Sequence, residues 1–162
     1  MHSSRVLLSF VSTLFLLTGC GSDYVYERTH ELPGGTWAYA DTLSFEFEVL
    51  DTATIYNLWL TVAHADTFRN QNIYTQIKTH FPNGEQLEEL LSLELAGEFG
   101  GWNGDCRGGL CELRIPIQTN AFFNQPGAYK LVLEQYMRRD SIIGIEWVGF
   151  GLEETGQRRS EQ

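Results

Sequence analysis

Lysine is almost missing. Lys78 and Lys130 are the only two in 162 residues, and with nine arginines they face 21 acids, for a formal charge of −10. No basic cluster interrupts that acidity, and the tail "GQRRSE" is too short to make one. Such a surface repels nucleic acid and anionic lipid headgroups, so nucleic acid is excluded as a partner and the charge serves solubility. Also missing is any apolar run of the ~20 residues needed to cross a bilayer. There is no internal repeat, low-complexity tract or linker, so the chain reads as one domain large enough to bury a core. Catalytic signatures are missing too. There is no G-x-S-x-G and no H-E-x-x-H, and the Gly-rich segment has neither the terminal Gly-Lys-Ser/Thr of a phosphate loop nor the G-x-G-x-x-G of a dinucleotide site. Carboxylates are plentiful, but no spacing brings two into one cleft.

What is present begins with "MHSSRVLLSFVSTLFLLTGCGSDY". Arg5 forms a short positive n-region, and Val6 to Leu17 is an apolar stretch of secretory-signal length. "LTGC", Leu17 to Cys20, resembles the bacterial lipobox, in which the cysteine is acylated and becomes the first residue of the mature chain. The expected organisation is a lipoprotein signal peptide over 1–19, a lipidated Cys20 with a short tether over 20–30, a single domain over 31–155 and a frayed tail over 156–162. One acyl chain holds only marginally; the three that mature lipoproteins generally carry give a stable attachment. Loss of Arg5 leaves ten basic residues against 21 acids, a mature charge of −11. The body is expected in the cell envelope, on the periplasmic face or at the cell surface.

Aromatics make up 13% of the chain, and Gly, Thr, Tyr, Phe and Trp outweigh Ala, a β-rich composition. "LSFEFEVLD" alternates strictly, with Phe45, Phe47 and Val49 on one side and Glu46 and Glu48 on the solvated other. "TIYNLWLTVAHAD" is apolar on both faces and so reads as a central strand. "NIYTQIKTHF" ends in the turn signal "FPNGE". "EQLEELLSLELAGEF" fits either period, and strand is favoured only for Ser92 to Ala96. "CELRIPI" carries Pro116, which cannot donate to a ladder and so marks an edge or a bulge. Tyr129, Leu131, Leu133 and Gln135 share a face. In "IEWVGFGLEE", Trp147, Gly149 and Gly151 oppose Val148, Phe150 and Leu152, and the alternating glycines predict a bulky neighbour packed close. Seven or eight strands with a turn every ten or so residues predict an all-β fold, an antiparallel β-sandwich of jelly-roll or immunoglobulin-like kind.

"GEFGGWNGDCRGGLCE", Gly97 to Glu112, holds six glycines, Trp102, Cys106 and Cys111. A zinc site needs about four ligands. Here two cysteines and Asp105 have no second pair, and His30, His64 and His80 are scattered singly, so no metal is expected. Outside the cytosol nearby cysteines oxidise, and Gly108-Gly109 can turn the chain back on itself. A disulfide between Cys106 and Cys111 across a tight hairpin is therefore expected, stabilising by about 2 kcal/mol and fixing the loop that carries Trp102. Trp102 reads either as an exposed anchor for a sugar ring or a protein, or, preferably, as a lid folded over the end of the core. Trp37 and Tyr39 are further aromatic candidates. Arg138 and Arg139, in "EQYMRRDS", are candidates for a rim contact just past a strand end.

"FPNGE", "GEFGGWNGD", "PGAYKLVLEQYMR" and "IIGIEWVGFGLE" together resemble the GldH family of gliding-motility lipoproteins of the Bacteroidetes. The resemblance runs from about Tyr24 to Glu154. "EQYMR" and "GIEWVG" are its most specific parts, whereas the cysteines of "CRGGLC" lie outside the pattern. It implies a membrane-anchored envelope lipoprotein with no enzymatic activity and no cofactor. Its implied partners are envelope proteins of the gliding machinery and the linked type IX secretion system. The alternative from the residues alone is a carbohydrate- or ligand-binding surface module. That module would show two or three coplanar aromatics in a groove, where a protein-docking surface would show a flatter apolar patch or an open sheet edge.

Overall fold

In a computed structural model, residues 24–160 are described; the signal segment, Cys20 and the last two residues lie outside them. The strands are β1 (Tyr24–Glu31), β2 (Thr36–Ala38), β3 (Thr42–Val49), β4 (Thr54–Ala65), β5 (Asn72–His80) and β6 (Gln86–Glu94). They continue with β7 (Asp105–Arg107), β8 (Leu110–Ala121), β9 (Gly127–Gln135), β10 (Ser141–Ile143) and β11 (Ile145–Arg158). One sheet runs β1-β11-β4-β8-β7, a second runs β3-β9-β5-β6, and β10 pairs with β2 in a small third. Every pairing is antiparallel.

The three short strands aside, the eight long ones fall into the orders first–eighth–third–sixth and second–seventh–fourth–fifth. That is the double Greek key of a jelly roll, so topology decides between the two sandwich types that strand periodicity leaves open.

Alternation dictates which residues meet. Phe45, Phe47 and Val49 of β3 face Leu58, Leu60 and Val62 of β4 and Val148, Phe150 and Leu152 of β11 across one continuous buried layer. The aromatic centre is tightly arranged: Phe150 lies 5.6 Å from Phe45 and 5.5 Å from Phe47, and Phe47 stacks on Tyr129 at 5.7 Å. Such pairs contribute about 0.5–1.5 kcal/mol each beyond the area they bury. β4 is central, between β11 and β8, as its two apolar faces require. Pro116 stands opposite Trp59 where the β4–β8 register slips, so it sits at a bulge, and β7 pairs with β8 only as far as Glu112.

Three boundaries differ from the sequence-based expectation. β1 begins at Tyr24 and is zipped to β11 through Glu31, so the segment expected to be tether up to residue 30 is sheet from Tyr24 onward. β11 runs through Arg158, and the Arg159 amide donates to the Ala53 carbonyl at 2.7 Å, so the expected fray from 156 is held by backbone pairing. The ambiguous leucine-rich segment is strand from Gln86 to Glu94, each residue having a partner on β5, so the strand starts earlier than the expected Ser92 and ends before Ala96, which makes only an isolated bridge to Trp102.

The two ends of the sandwich carry different elements. At the end where β1 starts lie the β3–β4, β5–β6 and β8–β9 connections and the end of β11. The far end gathers the β2–β10 pair, the β4–β5 loop, the glycine segment and the β9–β10 loop. Trp37 and Ile142, opposite each other on β2 and β10, close the core there.

Candidate functional site

The far end is built from the glycine segment upward. Gly108 and Gly109 have φ of 59° and 87°, the left-handed pair that a two-residue hairpin turn needs. Cys106 and Cys111 are thereby directly opposite, with Cα atoms 4.0 Å apart, and are joined by a disulfide. Gly104, at φ 86°, passes so close to β8 that a Cβ would overlap the Glu112 carbonyl. The Asp66 amide donates to Gly109 O at 2.9 Å, tying the β4–β5 loop to the hairpin.

Trp102 is half-buried. Its indole Nε1 donates to Asp66 O at 2.9 Å, and its ring meets the fully buried His64 ring edge-on at 4.5 Å. His64 in turn donates from Nδ1 to Ala65 O at 2.8 Å. Trp102 is therefore the lid over the end of the core, not a free anchor. Trp37 is wholly buried and donates from Nε1 to Asp41 O at 3.0 Å, so as an exposed aromatic candidate it is corrected to a core residue. Tyr39 is exposed, but with Trp37 inside and Trp102 folded down, the three expected aromatics do not line a common groove.

Arg138 and Arg139 lie exposed in the β9–β10 loop, whose shape is fixed from below. The fully buried Gln135 uses both ends of its amide: Nε2 donates to Arg139 O at 3.1 Å, and Oε1 accepts from the Met137 amide at 2.9 Å. The Tyr39 amide donates to Asp140 O at 2.8 Å. With one donor and one acceptor bond to the loop's backbone, the buried amide fixes the loop's course.

Arg139 faces a cleft of about 430 Å³ between this loop and the β4–β5 loop. Arg69 and Asn70 stand on the other wall, Phe68 and Ile142 form the floor, and Ile143, 73% exposed, stands at the rim. Gly144, at φ 102°, sits against the Phe68 ring, where a Cβ would come within 3.2 Å. Lys78, Lys130, Arg114 and Arg158 are all spent on carboxylates. Among the described residues Arg69, Arg138 and Arg139 form no ion pair, and neither do Arg28, Arg107 and Arg159, which lie outside this cleft. Phe99, fully exposed, lies in the neighbouring glycine segment. Two unpaired guanidiniums across a part-apolar cleft suit a carboxylate-bearing partner. Arg69 carries no signal in the sequence: "TFRN" is an ordinary loop, and only the fold brings it opposite Arg139.

A second cluster also escapes linear reading. On the outer face of the five-stranded sheet, the Arg114 guanidinium lies 3.7 Å over the Trp59 ring and 5.0 Å from the Tyr24 ring. Glu153 accepts from Trp59 Nε1 at 2.7 Å and from Arg114 Nη2 at 2.9 Å. Tyr24 packs close against Gly151, the bulky neighbour that the alternating glycines predict. Burial raises the Tyr24 hydroxyl above its usual range against the pull of Arg114. This cluster is satisfied within itself.

Glu46 and Glu48 point outward from β3, and Glu46 is 3.4 Å from Lys130 on the next strand, so both are surface charges. No group of three or more His, Cys, Asp or Glu among the described residues is placed to hold a metal ion.

The fold and this far end define a class first: a small jelly-roll sandwich that presents charged and apolar side chains at the end opposite its N-terminal lead-in. The chain belongs to the GldH lipoprotein family, whose model matches residues 24–152. It is 26% identical over 96% of its length to a gliding motility lipoprotein GldH homolog of Christiangramia forsetii, covering 99% of that protein. It is 23% identical to the gliding motility lipoprotein GldH of Flavobacterium johnsoniae, over 86% of this chain and 90% of that one. Membership makes it a membrane-anchored envelope lipoprotein of the gliding-motility kind. Among solved structures it is similar to a non-crystalline-cellulose-specific carbohydrate-binding module, with a TM-score of 0.41, 11% identity and coverage of 82% and 73% of the two chains.

Proposed function

We propose that this lipoprotein is a non-catalytic docking element of the gliding machinery and its linked type IX secretion system. It is held to the membrane by acyl chains on Cys20 and grips envelope proteins with the far end of the sandwich. The observation that carries this reading is the pair Arg69 and Arg139, unpaired in an acidic chain and facing each other across a cleft rimmed by Ile143. Arg138 beside them and Phe99 on the adjacent loop enlarge the contact. Arginines and exposed apolar side chains on a braced surface are what protein interfaces select. An acidic segment of a partner would complete the charge.

The test is photocrosslinking from position 143 in intact envelopes, followed by affinity capture of the acylated protein. Motor or secretion components are expected on the wild type and are lost from the double variant Arg69→Glu/Arg139→Glu, whose thermal midpoint stays that of the wild type. Undiminished capture by the folded variant defeats the reading. Recovery of no protein, with retention on a glycan array, replaces it with the carbohydrate-binding alternative.

A further inference from the structure

The end opposite that cleft has its own chemistry. We propose that it lies directly on the lipid surface, with Leu50 and Phe122 entering the interface and the Arg159 guanidinium at headgroup level. The inference rests on the Cys20 anchor and adds an orientation to it.

The first observation is the shortness of the lead-in. Tyr24 is already sheet, so four Cα steps separate it from Cys20. Fully stretched, they reach at most ~14 Å. The second is how far the rim projects past that point. Tyr24 stands opposite Glu153, which stands opposite Asn57. β4 starts three residues further out, at Thr54, which is ~10 Å at strand rise. The Leu50–Ala53 turn lies beyond Thr54. A thioether-linked lipid on Cys20 therefore leaves the rim almost no clearance from the bilayer.

The third observation is what the rim carries. Leu50, the first residue of the β3–β4 turn, is 80% exposed, and Phe122 is 47% exposed just past β8. The Arg159 guanidinium lies 4.5 Å over the Phe122 ring, and its Nη1 donates to Asn124 Oδ1 at 3.3 Å. The Arg159 amide bonds Ala53 O, and Arg158 pairs with Asp51 at 2.9 Å, so these loops form one rim. An apolar tip with an arginine stacked behind it is the arrangement that settles at a bilayer interface. Glu85 and Glu154 stand at the same end, so apolar entry, not anionic attraction, holds the contact.

The test uses the full acylated protein in phosphatidylethanolamine vesicles containing phosphatidylglycerol. An environment-sensitive fluorophore is placed at Leu50→Cys, at Phe122→Cys and, on the far end, at Ile143→Cys. The proteins are expected to float with the vesicles. Nitroxide-labelled lipid should quench most of the emission at 50 and 122 and leave that at 143 intact. Flotation with all three probes unquenched, or with 143 quenched as strongly as 50, overturns the orientation while the anchor stands. Failure of the wild type to float overturns the anchor and the orientation with it.

Discussion

Gly104 is the residue at which this fold tolerates least. Its φ of 86° lies in the left-handed region, and the place a side chain would occupy belongs to the Glu112 carbonyl. Gly104→Ala is expected to destabilise the protein by about 1–3 kcal/mol, read from urea denaturation, because backbone rather than a movable side-chain tip is in the way. Tyrosine offers a second measurement at this scale. Burial raises the hydroxyls of Tyr26, Tyr56 and Tyr129 above their ordinary value of 10. A folded-state value above the unfolded one means that the folded form holds its protons longer. The stability this brings is fully present below pH 10 and drains away as pH rises through the raised values. Alkaline titration should therefore show these tyrosines ionising together with unfolding, and early, independent ionisation of all seven would contradict their burial. Trp37 and Trp102 show the limit of reading residues singly. Both stand in loop-like sequence, and each could serve a surface; three-dimensional context sends one fully inside and folds the other over His64.

Elements repeat the lesson with strands and hairpins. β3, β4, β5, β9 and β11 are legible as strands because each has one face buried against the opposite sheet, and burial writes a period of two into the chain. β6 is not, because it is an edge strand whose outer residues face water, so its leucines follow neither period cleanly. Its identity comes from the ladder with β5. β1 is missed for a related reason: "YVYERTH" alternates weakly, and it is β11 that holds it. The β7–β8 hairpin, by contrast, is written plainly in two glycines between two cysteines. Its cross-link closes a short loop, so Cys106→Ala/Cys111→Ala should cost about 2 kcal/mol in urea denaturation and leave the rest of the sandwich intact. A loss near zero would mean that the hairpin's backbone bonds and the Asp66 tie fix it without the sulfurs.

The whole molecule has a direction. Its lead-in and an apolar rim share one end, and the braced arginine cleft occupies the other, separated by the length of the sandwich. The buried core is built from residues between Leu32 and Leu152. Cys20→Ala should therefore leave the thermal midpoint unchanged while moving the protein out of the membrane fraction; a variant that still fractionates with membranes would remove the anchor. On the proposed reading, such a body stands on lipid and offers its far end to neighbours.

Sequence by itself determined the β-class, the faces of the major strands, the hairpin with its cysteine pair, and the family, because these depend on local alternation, turn chemistry and linear motifs. It also supplied Arg138 and Arg139 as contact candidates. Tertiary structure alone decided the jelly-roll order, the inward fate of Trp37, and the placement of Arg69 and Arg139 on one cleft. It likewise decided the grouping of Leu50, Phe122 and Arg159 on one rim. The physical reason is common to all of these: each joins residues tens of positions apart whose proximity is set by how two sheets wind around a shared core, and no local pattern encodes that winding.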